Sequence, residues 1–247
     1  MKNNAGIKGK AFNEIKHGAF LANGDTEILW GWGTPAGKIR ADRRAKLIAT
    51  AAGLKPGMRV LEIGCGTGLF TEKFAKLGAF LLAVDISPDL LKKAQQRSLS
   101  AEQVIFKLTK FEDCAINGPF DAIIGSSILH HLDLIPALNK MHELLKPGGR
   151  IAFAEPNFMN PQIFITYNFR HFFPEISPDE NAFLRWKLAK ACSEESFKSI
   201  KITPFDWLHP NTPKKLIPAV KKCGSVLEKL PAFCEFAGSL LISAKKS

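Results

Sequence analysis

Glu62, the glycines Gly64, Gly66 and Gly68 at alternate positions, and Asp85 at the end of the next apolar run form the first group of residues with chemical potential. Glycine lets a chain turn sharply and lets a ligand approach backbone amides, where a helix start favours a negative group. The spacing is G-x-G-x-G, with Cys65 and Thr67 between the glycines, and not the G-x-G-x-x-G of dinucleotide sites. Asp85 is placed to accept hydrogen bonds from both hydroxyls of a ribose. It could equally cap a helix ahead of Ser87-Pro88.

A second group follows in Ser126-Ser127-Ile128-Leu129-His130-His131-Leu132 and in Glu155. Histidine titrates near neutral pH and can take a proton from a hydroxyl or a carbon acid. Two adjacent histidines point in different directions, so at most one faces a reacting atom, and His130 is favoured. Glu155 could bind a polar substrate group, or act as a base if burial raises its pKa. The plain readings are packing or capping histidines and a loop acid satisfied by nearby amides.

These residues need a scaffold, and the hydrophobic pattern supplies one. Short apolar runs near 58–63, 79–84, 103–108, 120–125 and 149–155 alternate with helical patterns, as in a parallel α/β sheet. Leu69, Phe70, Phe74 and Leu77 form a helical stripe that stops at Gly78, and Gly148-Gly149 marks another stop. Further strands are expected at 200–205 and 238–244, the first preceded by a helix ending within 193–199. In each half of the site, strand ends carry the polar residues, where open α/β sheets bind ligands.

The stretches LEIGCGTG (61–68), AVDIS (83–87), FDAIIGSSILHHL (120–132) and LLKPGGRIAFAEPN (144–157) resemble the class I S-adenosylmethionine-dependent methyltransferases. The resemblance implies a Rossmann-like α/β fold with a seven-stranded, mostly parallel sheet, its last strand antiparallel, and helices on both faces. It implies a domain at 56–247 preceded by an N-terminal helical extension or flap at 1–55, with helical character around Ile39 to Ala52. An aromatic lid insertion is expected at about 158–192 and a second insertion at about 206–235.

The implied cofactor is S-adenosylmethionine. Its carboxylate would lie at the loop Gly64, Cys65, Gly66, Thr67, Gly68, its ammonium near Glu62, its ribose on Asp85 and its adenine against Ile86. Ser126 joins this cofactor set. Related enzymes usually place an acid after the third strand for the adenine amino group. Here the run is Thr109-Lys110-Phe111-Glu112-Asp113-Cys114, so Phe111 and Glu112 or Asp113 would serve, unless this is a capped turn with solvated acids.

In many such enzymes the N-terminal part closes over the methionine end. Trp30, Trp32 and Thr34 are therefore expected at the entrance, with Arg40 or Arg43 near the carboxylate, or the tryptophans pack as a flap on the core. Tyr167 and His171, among Phe164, Phe169, Phe172 and Phe173, and later His209, are candidates for an apolar substrate chamber; aromatic stripes are also ordinary core. The reaction implied is methyl transfer by in-line displacement to a small or medium, partly apolar metabolite.

Charge leaves other partners open. The formal net charge of +11, from 34 basic and 23 acidic residues, suits RNA, an anionic surface or an acidic metabolite. Lys38, Arg40, Arg43, Arg44 and Lys46 cluster, although Arg40, Arg43 and Arg44 can share one exposed helix face. The Gly125-Ser126-Ser127 block lacks the P-P-aromatic motif of enzymes that methylate nucleic-acid adenines. RNA (tRNA or rRNA) methylation is thus the alternative reading, with a non-catalytic S-adenosylmethionine-binding module beside it. Cys65, Cys114, Cys192, Cys223 and Cys234 form no C-x-x-C pair and imply no metal site; they read as reduced residues of a cytoplasmic protein. No run of eighteen apolar residues is present.

Overall fold

The structure is a computed structural model that describes residues 3–113, 115–172 and 182–247; Cys114 and Phe173 lie outside the described residues. Three helices come first: α1 (Asn3–Ala22), α2 (Thr26–Leu29) and α3 (Pro35–Ala52). The alternating unit follows as β1 (Arg59–Ile63), α4 (Leu69–Ala75), β2 (Phe80–Asp85), α5 (Pro88–Gln95), β3 (Val104–Leu108), β4 (Phe120–Ser126), α6 (Leu134–Leu144) and β5 (Leu145–Pro156). The remainder is α7 (Pro161–Asn168), α8 (Arg185–Glu194), β6 (Phe197–Phe205), α9 (Ile217–Leu227), α10 (Pro231–Cys234) and β7 (Ser239–Lys246).

One seven-stranded sheet has the order β3-β2-β1-β4-β5-β7-β6. Strand β1 pairs in parallel with β2 and β4, while β7 runs antiparallel to both β5 and β6. The expected fold class is the observed one. Order reverses between β1 and β4, so a crevice opens beyond their carboxyl ends, at Gly64 and Ser126.

Strand periodicity sorts the core into two layers, because successive side chains point to opposite faces. Val60, Leu81, Ala122, Ile124, Ala152 and Ala154 meet Ala45, Ile48 and Ala49 of α3 and Phe74 of α4. Leu61, Ile123, Ile151 and Phe153 meet Leu138 and Met141 of α6 and Leu188, Ala191 and Cys192 of α8. Burying apolar surface on both faces is what the continuous apolar runs encode.

Helix α8 packs apolar Leu188 and Ala191 against the sheet as any core helix does. One expectation is corrected. Arg44 does not share an exposed face with Arg40 and Arg43. It is 3% exposed, because its guanidinium lies over the rings of Trp32 and Phe205.

Candidate active site

Beyond the carboxyl ends of β1, β2 and β4 lies a cavity of about 890 Å³. Its wall includes Ile63, Gly64, Cys65, Gly66, Thr67, Asp85, Ile86, Phe111, Glu112, Asp113, Ser126, His130 and His131, drawing together most of the expected residues.

The cofactor loop is built by left-handed glycines: Gly64, Gly66 and Gly68 have φ of 68°, 52° and 74°, values that side chains disfavour. Four of its amides are engaged within the protein. Gly64 and Cys65 donate to the Val84 carbonyl at 2.8 and 3.1 Å, Gly66 to Asp85 Oδ2 at 2.7 Å, and Gly68 to the Cys65 carbonyl at 2.8 Å. The neighbouring strand end thus fixes the loop's shape. Asp85 Oδ1 also accepts the Ser87 amide at 2.8 Å, while Ser87 itself caps α5. The carboxyl of Asp85 is pushed above its usual range by burial, offset in part by the Ser87 and Gly66 amides.

Glu62 is 2% exposed and lies behind the loop rather than as an exposed acid beside a helix start. Burial, opposed by the neighbouring Thr71 hydroxyl and reinforced by the charge of Asp85, pushes its pKa up to about 8. Its Oε2, like Ser126 Oγ on the cavity wall, has no hydrogen-bond partner. Cys65 is also buried, and burial holds its thiol well above the ordinary range, which agrees with a space-filling residue rather than a nucleophile.

At the other side of the crevice, Glu155 is fully buried at the end of β5. One oxygen accepts the amides of Ile128 and Leu129 at 2.9 and 3.0 Å, and the other lies 2.6 Å from His130 Nδ1. Burial pushes the Glu155 pKa up, but the His130 charge and these hydrogen bonds outweigh it and hold the group below its ordinary value. The expected raised-pKa base is therefore corrected: Glu155 is an ionised carboxylate that orients His130. The two histidine rings are 4.2 Å apart, yet His131 Nδ1 faces Glu14 of α1 at 3.0 Å.

The N-terminal segment covers the cavity by a route that the sequence signalled only in part. Trp30 and Trp32 line it, with Trp30 lying over Gly66 and Trp32 edge-on to Phe70 at 5.5 Å. Thr34 does not. It caps α3 through the Gly37 amide at 2.9 Å and donates to the Pro210 carbonyl at 2.7 Å. Helix α1 was missed as a wall: Glu14, His17 and Gly18 border the cavity, and a Cβ at Gly18 would come within 2.4 Å of Ser87 Oγ. A glycine at a helix–loop crossing was the available signal.

Arg40 and Arg43 are engaged elsewhere, by Asp206 at 2.8 Å and by Glu228. Of the basic cluster, Arg44 is buried and Arg40 half-buried, while Lys38, Arg43 and Lys46 remain exposed. Phe111 lines the cavity from the core, and Asp113 is paired with Lys110 at 3.3 Å. Tyr167 and His209 reach the cavity wall, whereas His171 is exposed and packs at a tilt against Phe172 instead. Gln162 holds His209 at 2.7 Å, and burial, then Arg40, lowers its pKa. Among the described residues, no group of three or more His, Cys, Asp and Glu side chains is arranged to hold a metal ion. Nor is any described helix long and apolar enough to cross a membrane.

Residues 61–151 match the family model described as a methyltransferase domain. A ubiquinone biosynthesis O-methyltransferase of Xanthomonas axonopodis pv. citri (strain 306) is 35% identical over 156 residues, covering 61% of this chain and 64% of the relative. The enzyme of the same name from Xanthomonas campestris pv. campestris (strain B100) is 37% identical over 143 residues, covering 56% and 58%. The chain thus spans less than two thirds of these relatives' length. The N-methyltransferase NodS of Bradyrhizobium japonicum, solved with S-adenosyl-L-homocysteine, superposes with a TM-score of 0.65 at 17% identity, over 95% of this chain and 98% of that one. A putative methyltransferase solved with the Haloferax volcanii Trm112 activator gives 0.69 at 16% identity, over 93% and 97%. Strand order, the glycine loop with its strand-end acids, and the matched segment converge: residues 61–151 match a methyltransferase domain, set in a seven-stranded sheet with the fold of solved methyltransferases.

Proposed function

We propose that this chain transfers a methyl group from S-adenosylmethionine to an oxygen of a small or medium, partly apolar metabolite. The observation that carries the choice of oxygen is the 2.6 Å contact between His130 Nδ1 and the buried Glu155 carboxylate, beside the cavity. An ionised acceptor there keeps the proton on Nδ1 and leaves Nε2 as the basic nitrogen of the ring. A hydroxyl is a poor nucleophile until its proton is drawn off, and a positioned histidine does this. The naming of the curated relatives as O-methyltransferases supports the same reading.

When bound, S-adenosylmethionine supplies an electrophilic methyl group, so the protein's tasks are alignment, exclusion of water and proton removal. The residues present suit that cofactor. Unpartnered Oε2 of Glu62 and Oγ of Ser126 await polar partners, and Asp85 stands at the strand end for ribose hydroxyls. Glu62 would take the ammonium, Ile86 one face of the adenine, and Phe111 with Glu112 the adenine edge. Trp30, Trp32 and α1 keep water from the methionine and adenosine ends, while Tyr167 and His209 border the acceptor side.

The test is incubation with 13C-methyl cofactor and a panel of small hydroxylated and amine metabolites, read by NMR and by S-adenosylhomocysteine release. O-methyl signals that vanish in His130→Gln are expected; N-methyl products alone would overturn the assignment to oxygen.

A further inference from the structure

The segment 24–33, which carries Trp30 and Trp32, is fastened by two cations: Lys93 near the end of α5 ties it to that helix, and Arg97 just beyond ties it to the cofactor loop. Lys93 Nζ donates to the Gly24 carbonyl at 2.7 Å and to Thr26 Oγ1 at 3.0 Å. Arg97, one turn further on, has three partners. Its Nε donates to the Thr67 carbonyl at 2.6 Å, its Nη1 to Glu72 Oε2 at 2.6 Å, and its Nη2 to Glu27 Oε1. Glu27 Oε1 also accepts the Thr67 hydroxyl at 3.1 Å. One guanidinium therefore joins the covering segment, the glycine loop and the first turn of α4.

Placement gives this network a consequence. Trp30 lies directly over Gly66, with its ring edge 3.1 Å from where a Cβ would sit, and it borders the cavity. On the Gly66 side, Trp30 covers a ligand held by Asp85 and the loop, so release by that route displaces the segment. Lifting it breaks the contacts of Glu27 with Arg97 and Thr67. Arg97 and Glu27 retain 21% and 29% side-chain exposure, so the pair is open enough to part and to be screened by salt.

We propose that Arg97 and Glu27 form a latch that holds the segment 24–33 over the cofactor loop and sets the rate of cofactor and product exchange. The inference rests on the assignment of the loop to S-adenosylmethionine. Arg97 is a positioning residue, since it acts through Thr67 and Glu27.

The test is the dissociation rate of S-adenosylhomocysteine, followed by stopped-flow tryptophan fluorescence on the full chain. Arg97→Met and Glu27→Gln should each speed release roughly tenfold, the scale of one lost charge-assisted hydrogen bond. Raising salt from 50 to 500 mM should speed release from the parent protein and not from either variant. Glu72→Gln separates latch from loop support: it keeps the parent rate if the latch acts through the covering segment. Glu27→Gln is nearly isosteric and preserves the fold if Arg97→Met does not. Equal release rates in the parent and Glu27→Gln, or equal acceleration by Glu72→Gln, would overturn the latch. Failure of the parent protein to bind S-adenosylhomocysteine would instead overturn the cofactor assignment.

Discussion

Glu62→Gln is expected to stabilise the empty protein while weakening its hold on the cofactor, and the first effect has a calculable pH dependence. The folded pKa of Glu62 is about 8 against an ordinary 4.5, chiefly from burial. A carboxyl raised on folding binds its proton more tightly in the folded state, so its contribution is fully present below about 4.5. It is then lost as pH rises, until the folded group also ionises near 8. Each unit in that window costs about 1.4 kcal/mol. Relative to a neutral glutamine, the penalty reaches about 3 kcal/mol at pH 7 and levels off near 5 kcal/mol above pH 8. For a chain of this length, about 3 kcal/mol corresponds to a Tm rise of roughly 6–12 °C. The assay is Tm of parent and variant from pH 5 to 8.5, without ligand. Every other titrating group is common to both proteins, so the difference reports Glu62 together with its coupling to Asp85 and Cys65. A Tm difference that does not grow with pH would refute the reasoning. So would a Glu62→Gln protein that binds S-adenosylmethionine as tightly as the parent, for the ammonium assignment.

Asp85→Ala removes the anchor of the Gly66 and Ser87 amides as well as the ribose acceptor, and should weaken S-adenosylhomocysteine binding by roughly 10- to 100-fold in calorimetry. Unchanged affinity would remove the ribose assignment. His130→Gln and Glu155→Gln should each lower turnover by about 10²- to 10⁴-fold while leaving S-adenosylhomocysteine affinity near the parent value. A matching loss of affinity would mean that the pair is structural. Gly37→Ala would place a Cβ 1.8 Å from the Gly31 carbonyl oxygen, so the segment at 31–33 must shift. Its expected signature is a weaker grip on the cofactor, read by calorimetry; parent-like binding would show that the tryptophan segment does not close the site.

The strands of the sheet were legible because each is an apolar run with chemistry at its end. Edges at 59–63, 80–85, 104–108 and 120–126 differ from expectation by one residue. Strand β6 begins earlier than expected, at Phe197, because Ser199 at φ 50° sits within an irregularity between Lys198 and Lys201 that no local pattern announces. Polar roles were less legible, since they depend on partners far away in sequence. Nothing local distinguishes Arg44, buried under Trp32, from Arg43, paired with Glu228 across 185 residues. Thr34 looked like an entrance residue through its neighbours, yet its spacing to Gly37 was a visible N-cap signal.

Glu62 and Glu155 show why burial alone does not fix a role. Both are buried carboxyls at strand ends of one crevice, and burial raises both. Glu155 receives two backbone amides and a histidine, which carry it below the ordinary range; Glu62 keeps an oxygen without a partner and stays high. Their linkages to stability therefore have opposite sign. The Glu155 contribution is present above about 4.5 and is lost on acidification through its lower folded value, whereas that of Glu62 is lost between about 4.5 and 8. A Glu155 held ionised near neutral pH keeps the His130 tautomer fixed whether or not a ligand is present, as a proton acceptor requires. A Glu62 that ionises only when a cation arrives releases a proton on binding. Cofactor association measured by calorimetry in buffers of different ionisation enthalpy should therefore show proton release near pH 7 that disappears in Glu62→Gln. The same release persisting in the variant would place its origin elsewhere and leave the raised pKa without a part in recognition.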